Sequence, residues 1–430
     1  MTADRRRPDH RSDHRSDRHQ VRPGDLRHVV THLITPLLMC VGMGLAYLGA
    51  FANPSPHHLP VAIVGTGTHA QVLAQTINDK EHGELEARTV PDRATAVGQL
   101  KNQEIFGAYL AGGNQANGTG TGTGTGTTNR ASLSRNGDAQ HGPELLVATA
   151  GSDTSATVVQ KIFTPLAARQ GDPLKVTDIA PTAAHDPTGQ GIFFLLVALS
   201  IGSYASVAVI GGAGAVLPMR IRAALATGTS FVVAAIGTLF AGPVFHLVDH
   251  GLWALWGMAW LYSAGILLIG TGLHTFLKRW TTLGVMVLFV MLNFTSSGGI
   301  FRPEMQNGFF AALHSFWNGA GFVEGTRSHV YFDGHGLAGH VWTLAGWLLV
   351  GLLMVAAAAL TEQRRRTAEA EAVANAGAVA AAAVAATMPE RTPERAQGRT
   401  PERASARPTA QRDSETEEEM EEEMEEAVGV

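Results

Sequence analysis

Six stretches of the chain are almost purely apolar, and each predicts a helix in a membrane. One runs from Leu33 to Phe51, four lie between Ile192 and Phe294, and the last covers Val341 to Leu360. Each is roughly 18 to 25 residues long and nearly free of charge, enough to cross a hydrocarbon layer of about 30 Å at about 1.5 Å per helical residue. The expected spans are 29–52, 191–217, 223–245, 252–273, 281–297 and 341–360. Between the first two, residues 53–190 change pattern. Val61–Val64 is a short apolar run that reads as a strand, Leu85–Val90, Ile105–Leu110, Leu145–Ala150 and Leu174–Ile179 read as further strands, and His69–Asn78, Arg93–Gln103 and Thr154–Arg169 have helical spacing. That alternation predicts a compact α/β domain. Within it, 117–128 alternates Gly and Thr with nothing apolar to bury, the composition of a solvated insertion.

Charge orients these elements. With 32 Lys and Arg against 37 Asp and Glu, the overall balance is nearly neutral, so the position of each charge carries the information. The leader 1–28 holds Arg5, Arg6, Arg7, Arg11, Arg15, Arg18, Arg22 and Arg27; Arg220 and Arg222 follow the second span, Lys278 and Arg279 the fourth, and Arg364, Arg365 and Arg366 the sixth. By the positive-inside rule these flanks are cytoplasmic. Both termini are then inside a multi-pass cell-membrane protein, and 53–190 and 298–339 lie outside. The sequence leaves one alternative, that the first span is a secretory signal cut after Ala50-Phe51-Ala52, although its apolar run is long for one. The lone Cys40 excludes an intrachain disulfide, so the outer domain depends on its own core.

The tail has three compositions. Residues 361–388 are Ala-rich and predict a cytoplasmic helix, with a seventh span as the alternative. In 389–430, Arg391–Ala396 recurs as Arg399–Ala404 and Glu415–Glu426 is almost all acidic, which predicts a disordered acidic tail.

Candidate chemistry is sparse. Gly65-Thr66-Gly67-Thr68-His69-Ala70 follows a strand and opens a helix, with Glu84 and Glu86 near the distance of a ribose-binding acid, but glycines in any tight strand-to-helix turn look the same and the segment is expected outside the cell. It is read as a turn. No lysine stands in a phosphate-binding Gly-Lys-Ser or Gly-Lys-Thr loop, so the chain carries no ATPase motif and is not expected to be an enzyme. His246 and His250 in Phe245–His250 sit at i and i+4 and would share one helical face, a weak metal candidate in which Asp249 stands where a general base would be Glu. No metal, cofactor or nucleic acid is expected. Small residues repeat every four positions at Ala198, Gly202 and Ser206 and at Ser230, Ala234, Thr238 and Gly242, predicting close helix–helix packing. Trp253, Trp256, Trp260, Trp342 and Trp347 fall near span boundaries, and His32 and Asn293 are the polar candidates within the spans.

The loop 298–339 has the most distinctive text. Ser296-Ser297-Gly298-Gly299 leads to Phe301, Pro303 and the string NGFFAALHSFWNGAGFVEGTRSHVYFDG, in which Phe309, Phe310, Leu313, Phe316 and Trp317 would face the outer leaflet from re-entrant or interfacial helices. This resembles the membrane domain of the ABC type 2 permeases, in particular the branch of YhgE/Pip-like phage infection proteins. In that family a Ser-Gly-Gly element ends the fifth span, a Pro begins a re-entrant pair and an Arg precedes the sixth span, positions held here by Gly298, Gly299, Pro303 and Arg327. The string RATAVGQLKNQEIFGAYLAG, Arg93–Gly112, is also similar to the family's outer domain, though many type 2 permeases have a short loop there. The resemblance implies a six-helix subunit that pairs as a homodimer or heterodimer and exports apolar or amphipathic compounds, or surface polymers, with a separate ATPase. Arg220, Arg222, Lys278 and Arg279 are the candidates for docking that ATPase, beside their ordinary role as positive-inside anchors. The other class of function is a cell-envelope receptor or scaffold, in which the outer domain binds a partner and the helices only anchor.

Overall fold

The computed structural model describes residues 23–52, 54–112, 142–169 and 172–387. The leader before residue 23, the Gly-Thr tract 117–128, the Arg391–Ala404 repeat and the acidic block lie outside the described residues, and so does the side chain of His32. The chain divides into two units, Met1–Thr367 and Ala368–Val430. In the second, the described residues are helical.

The α/β domain follows the apolar pattern closely. Five strands, β1 (Leu59–Val64), β2 (Leu85–Val90), β3 (Ala108–Leu110), β4 (Glu144–Val147) and β5 (Lys175–Asp178), form one sheet in the order β2-β1-β3-β4-β5. β1 pairs in parallel with β2, from Leu59↔Leu85 to Val64↔Val90, and with β3; β4 runs antiparallel to β3 and parallel to β5. Successive side chains of a strand point to opposite faces. Leu59, Val61 and Ile63 therefore join a core with Phe163, Tyr109 and Ile77, while Ala62 and Val64 join another with Leu100 and Ile105. The helices covering the sheet are α2 (Thr68–Lys80), α3 (Arg93–Lys101) and α4 (Asp153–Arg169). α3 starts where Asp92 accepts a hydrogen bond from the Thr95 amide at 2.7 Å. On the edge strand β2, the side chain of Asn78 takes the place of a neighbouring strand, donating to the Ala87 carbonyl at 2.9 Å and accepting from its amide at 2.7 Å. That pairing satisfies backbone groups an edge would leave open.

The remainder is helical. α1 (Pro23–Phe51) precedes the sheet; α5 (Gly191–Gly212), α6 (Met219–Leu239), α7 (Leu252–Leu277), α8 (Thr281–Met286), α9 (Leu292–Ser296), α10 (Gly308–His314), α11 (Asn318–Tyr331) and α12 (Leu337–Thr387) follow it. Among the described residues four helical stretches are long and apolar enough to cross a membrane: Gly191–Val216, Met219–Val244, Leu252–Leu277 and Leu337–Val384. Leu37–Phe51 and Thr281–Ser296 are shorter apolar helices. Of these four long stretches α7 is the most enclosed, with its middle from Tyr262 to Gly272 buried throughout. Glycines set how near its neighbours come. A Cβ at Gly270 would lie 2.6 Å from Val207 of α5, and one at Gly272 2.7 Å from Met354 of α12.

Several expectations need correction. α6 begins at Met219, four residues before the expected 223, because Pro218 is extended and ends the preceding turn (φ −64°, ψ 149°); Met219–Arg222 are therefore helical and not a loop. α7 extends to Leu277, beyond the expected 273. The third apolar helix closes in a π turn, Phe240–Val244, containing Pro243, and Phe245–His250 is not helical, with His246 at φ 51°. A proline without an amide proton ends the ladder there. His246 and His250 consequently share no helical face. The fifth apolar helix carries a π segment, Val287–Met291, between α8 and α9.

Candidate functional site

The end of α9 is where the chain departs from helix amid buried residues. Ser297 donates to the Phe294 carbonyl at 2.9 Å and accepts from the Gly299 amide at 3.1 Å, and Gly298 takes φ +73°, a conformation that side-chain-bearing residues seldom adopt. This leaves the carbonyls of Gly298 and Gly299 outside any helix, and Arg327 on α11 donates to both, at 2.8 and 3.1 Å. Arg327 also meets Glu324 at 3.0 Å, and Arg302 meets the other oxygen of Glu324 at 2.5 Å. Arg302 donates further to Gln103 at the end of α3, 3.0 Å away, and stands 5.2 Å over the Phe106 ring. The whole Arg–Glu–Arg cluster is buried, Glu324 at 2% exposure and the two arginines at 6% and 3%.

Removal of water would by itself raise the Glu324 carboxyl, but the guanidiniums of Arg302 and Arg327 outweigh it and hold the carboxyl down at about 2. His314 lies beside the cluster, its Nδ1 2.9 Å from the Ser296 carbonyl. Loss of water, reinforced by the nearby arginines, pushes its imidazole down to about 4 despite the opposing charge of Glu324. The Ser296 carbonyl can only accept, so Nδ1 carries the proton and donates to it. Gln306 donates to the Thr295 carbonyl at 2.8 Å, adding another tie between the loop and α9.

A second polar chain crosses the helices. Tyr262 of α7 contacts Ser200 of α5 at 2.5 Å and accepts from Asn293 of α9 at 2.6 Å, and Asn293 accepts from the Gly319 amide at the start of α11 at 2.7 Å. Asn293 is thus a structural link, fully buried, and α11 is stitched to three helices through it.

Of the residues singled out from the sequence, Gly298, Gly299 and Arg327 come together at the break. Arg327 does not face lipid phosphate, since burial confines it to Glu324 and the two carbonyls. Pro303 directly follows Arg302 and opens a short 3-10 turn, Pro303–Met305. Arg302, Glu324 and Gln103 complete the cluster. Arg302 sits between two residues already noted, Phe301 and Pro303, and an arginine beside an apolar re-entrant segment was the available signal; Gln103, 199 residues earlier, left none. The docking candidates divide. Arg220 and Lys278 are exposed, whereas Arg222 is 5% exposed and donates to the Thr271 carbonyl on α7 at 3.4 Å; the side chain of Arg279 lies outside the described residues. His246 pairs with Asp249 at 3.7 Å and lies against His185, while His250 lies against His329. Among the described residues no group of His, Cys, Asp and Glu is placed to hold a metal ion.

The small-residue rows also separate. Ser230, Ala234 and Gly242 of the third apolar helix are buried at packed contacts. Ala198 of α5 is exposed and Gly202 stands near Val233 of α6, where a Cβ would lie 3.6 Å away; both line a cavity of about 730 Å³ between α5 and α6, with Phe194, Phe240 and Asp186 among its other walls. Residues too small to reach across leave the space open.

No family model, no curated protein and no solved structure matches this chain.

Proposed function

We propose that this chain is the permease subunit of an exporter that moves apolar or amphipathic compounds, or surface polymers, outward, with ATP hydrolysis supplied by a separate ATPase. The observation that carries the reading is the break after α9. Non-helical backbone among apolar helices requires internal partners for its carbonyls, and it is tolerated where it is buried in protein or lines a pathway. Here Arg327 supplies those partners from a returning helix pair. A chain that served only as an anchor would not need this arrangement.

In this reading Leu37–Phe51 and Thr281–Ser296 join the four longer stretches as spans. Both termini are cytoplasmic, the α/β domain is outside the cell, and two six-helix subunits associate. Arg220 and Lys278 remain as exposed residues for an ATPase to contact. The receptor or scaffold reading is favoured by a different observation: the α/β domain touches the loop directly, through Lys101–Asp333 at 2.7 Å and Gln103–Arg302. Such contacts would transmit a binding event at the outer domain.

Topology has a direct check. In a Cys40→Ser background, an impermeant thiol reagent added to intact cells should label a cysteine placed at Gly122 and not one at Ser16 or Thr392. Labelling at Thr392 would require an odd number of spans and overturn the orientation.

Export is tested by accumulation of lipophilic compounds in cells carrying the parent, Arg327→Ala or a deletion of Gly118–Thr127, with membrane abundance followed by blot. Arg327→Ala should abolish export, because it orphans two carbonyls and leaves the buried Glu324 carboxylate to Arg302 alone, whereas the deletion should leave export intact. The opposite pattern would move function to the α/β domain and sink the permease reading.

A further inference from the structure

We propose that the cavity between α5 and α6 binds a lipophilic cation, a compact apolar body bearing a single positive charge. The proposal names a substrate class for the export reading above and rests on that reading for its purpose.

The cavity's volume, about 730 Å³, falls within the range of about 300–1,000 Å³ that small-molecule sites occupy. Its walls are mostly apolar, and Ala198 and Gly202 are the small residues that leave it room, while Gly237 is covered by Leu199. Two features then select the sign of the occupant. Phe194, Phe240 and Phe245 line it, and an aromatic face attracts a cation through its quadrupole. At the end where α5 begins, Asp186 also lines it, 7% exposed, with one oxygen accepting the Gln190 amide at 3.1 Å and the other the Gly191 amide at 2.8 Å. A carboxylate has roughly four acceptor sites, so capping α5 uses about half of them.

No Lys or Arg lines the cavity; its other ionisable wall residue is His185, in ring contact with His246, which itself meets Asp249. An anionic amphiphile entering here would bring its charge to Asp186 with no fixed cation to offset it. A neutral apolar molecule would leave the carboxylate buried further and still without a counter-charge. A cation supplies that charge and meets aromatic walls as it does so.

The test uses the full chain in lipid nanodiscs and two ions of nearly equal size and opposite charge, tetraphenylphosphonium and tetraphenylborate, measured by equilibrium dialysis against empty nanodiscs. Saturable binding is expected for the phosphonium and not for the borate. Asp186→Asn keeps a helix-capping oxygen but removes the charge and should weaken phosphonium binding about tenfold or more. Ala198→Phe fills the cavity from an exposed position and should abolish binding, with the melting temperature of the parent retained. Equal binding of the two ions, or phosphonium binding unchanged in both variants, would overturn the proposal. So would a co-purified phospholipid that Ala198→Phe expels and tetraphenylphosphonium does not displace. The two readings fail separately: phosphonium binding without ATP-dependent efflux counts against the exporter and leaves the site, while efflux that Ala198→Phe does not alter counts against the site and leaves the exporter.

Discussion

Replacing Glu324 with alanine should destabilise the folded chain by about 3–5 kcal/mol, the usual effect of removing one partner from a buried ion cluster. The reason is what remains. Arg302 and Arg327 are both almost fully buried, and without Glu324 they would hold two like charges together against one carboxylate, Glu304 at 3.9 Å from Arg302, with Gln103 and the carbonyls of Gly298 and Gly299 as acceptors. Thermal unfolding in a mild detergent measures the change, and a melting temperature equal to the parent's would mean that the cluster is solvated. Its pH dependence has a definite sign. The Glu324 carboxyl is depressed to about 2 in the folded chain, so its contribution is complete above the unfolded value of about 4.3 and is lost as pH falls toward about 2. Melting at pH 7 and pH 3 should therefore diverge more in the parent than in Glu324→Ala. If instead Arg302→Met, Glu324→Leu and Arg327→Met combined leave stability near the parent's, the cluster holds a particular conformation of the loop more than it stabilises the fold.

Gly298→Val should abolish export and lower stability, through two separate effects. The φ of +73° at this position is strained for any residue with a Cβ, by about 1–3 kcal/mol, and most of all for a β-branched one. The added Cβ would also lie 2.6 Å from His314 Cε1 and 2.9 Å from Glu324 Oε1, so overpacking contributes a further 1–3 kcal/mol or thereabouts. Both effects fall on the turn that presents its carbonyl to Arg327. A suitable comparison is Gly257→Ala, at a helical glycine whose Cβ would meet nothing within 4 Å and which should behave as the parent. Retained export by Gly298→Val, at parental abundance, would show that the break after α9 has no part in transport.

The sequence was most legible where pattern and burial are the same fact. Strands β1 and β2 and helix α3 fall within a few residues of the segments that announce them: β1 is apolar and buried along nearly its whole length, while the edge strand β2 buries Leu85, Ala87 and Val90 and exposes the polar residues between them. Long apolar runs announce the helices α5, α6, α7 and α12 for a similar reason: no other segment of that composition can satisfy its backbone away from water. Gly298 and Gly299 were legible as a break, since glycine is the residue that leaves a helix without strain.

What tertiary structure alone decided concerns partners remote in sequence and space left empty. Arg302 and Arg222 carry the same charge as the arginines expected at a membrane face, yet both are buried, one by Glu324 and Gln103 and the other by the Thr271 carbonyl. Spacing suggested a shared face for His246 and His250, but Pro243 ended the helix before either. Ala198 and Gly202 had the period of a packing seam, and whether small residues bring helices together or leave a cavity depends on what stands opposite. Periodicity along a chain states which residues share a face; only the packed structure determines what that face meets, because contact energies depend on distances between segments that sequence spacing does not encode.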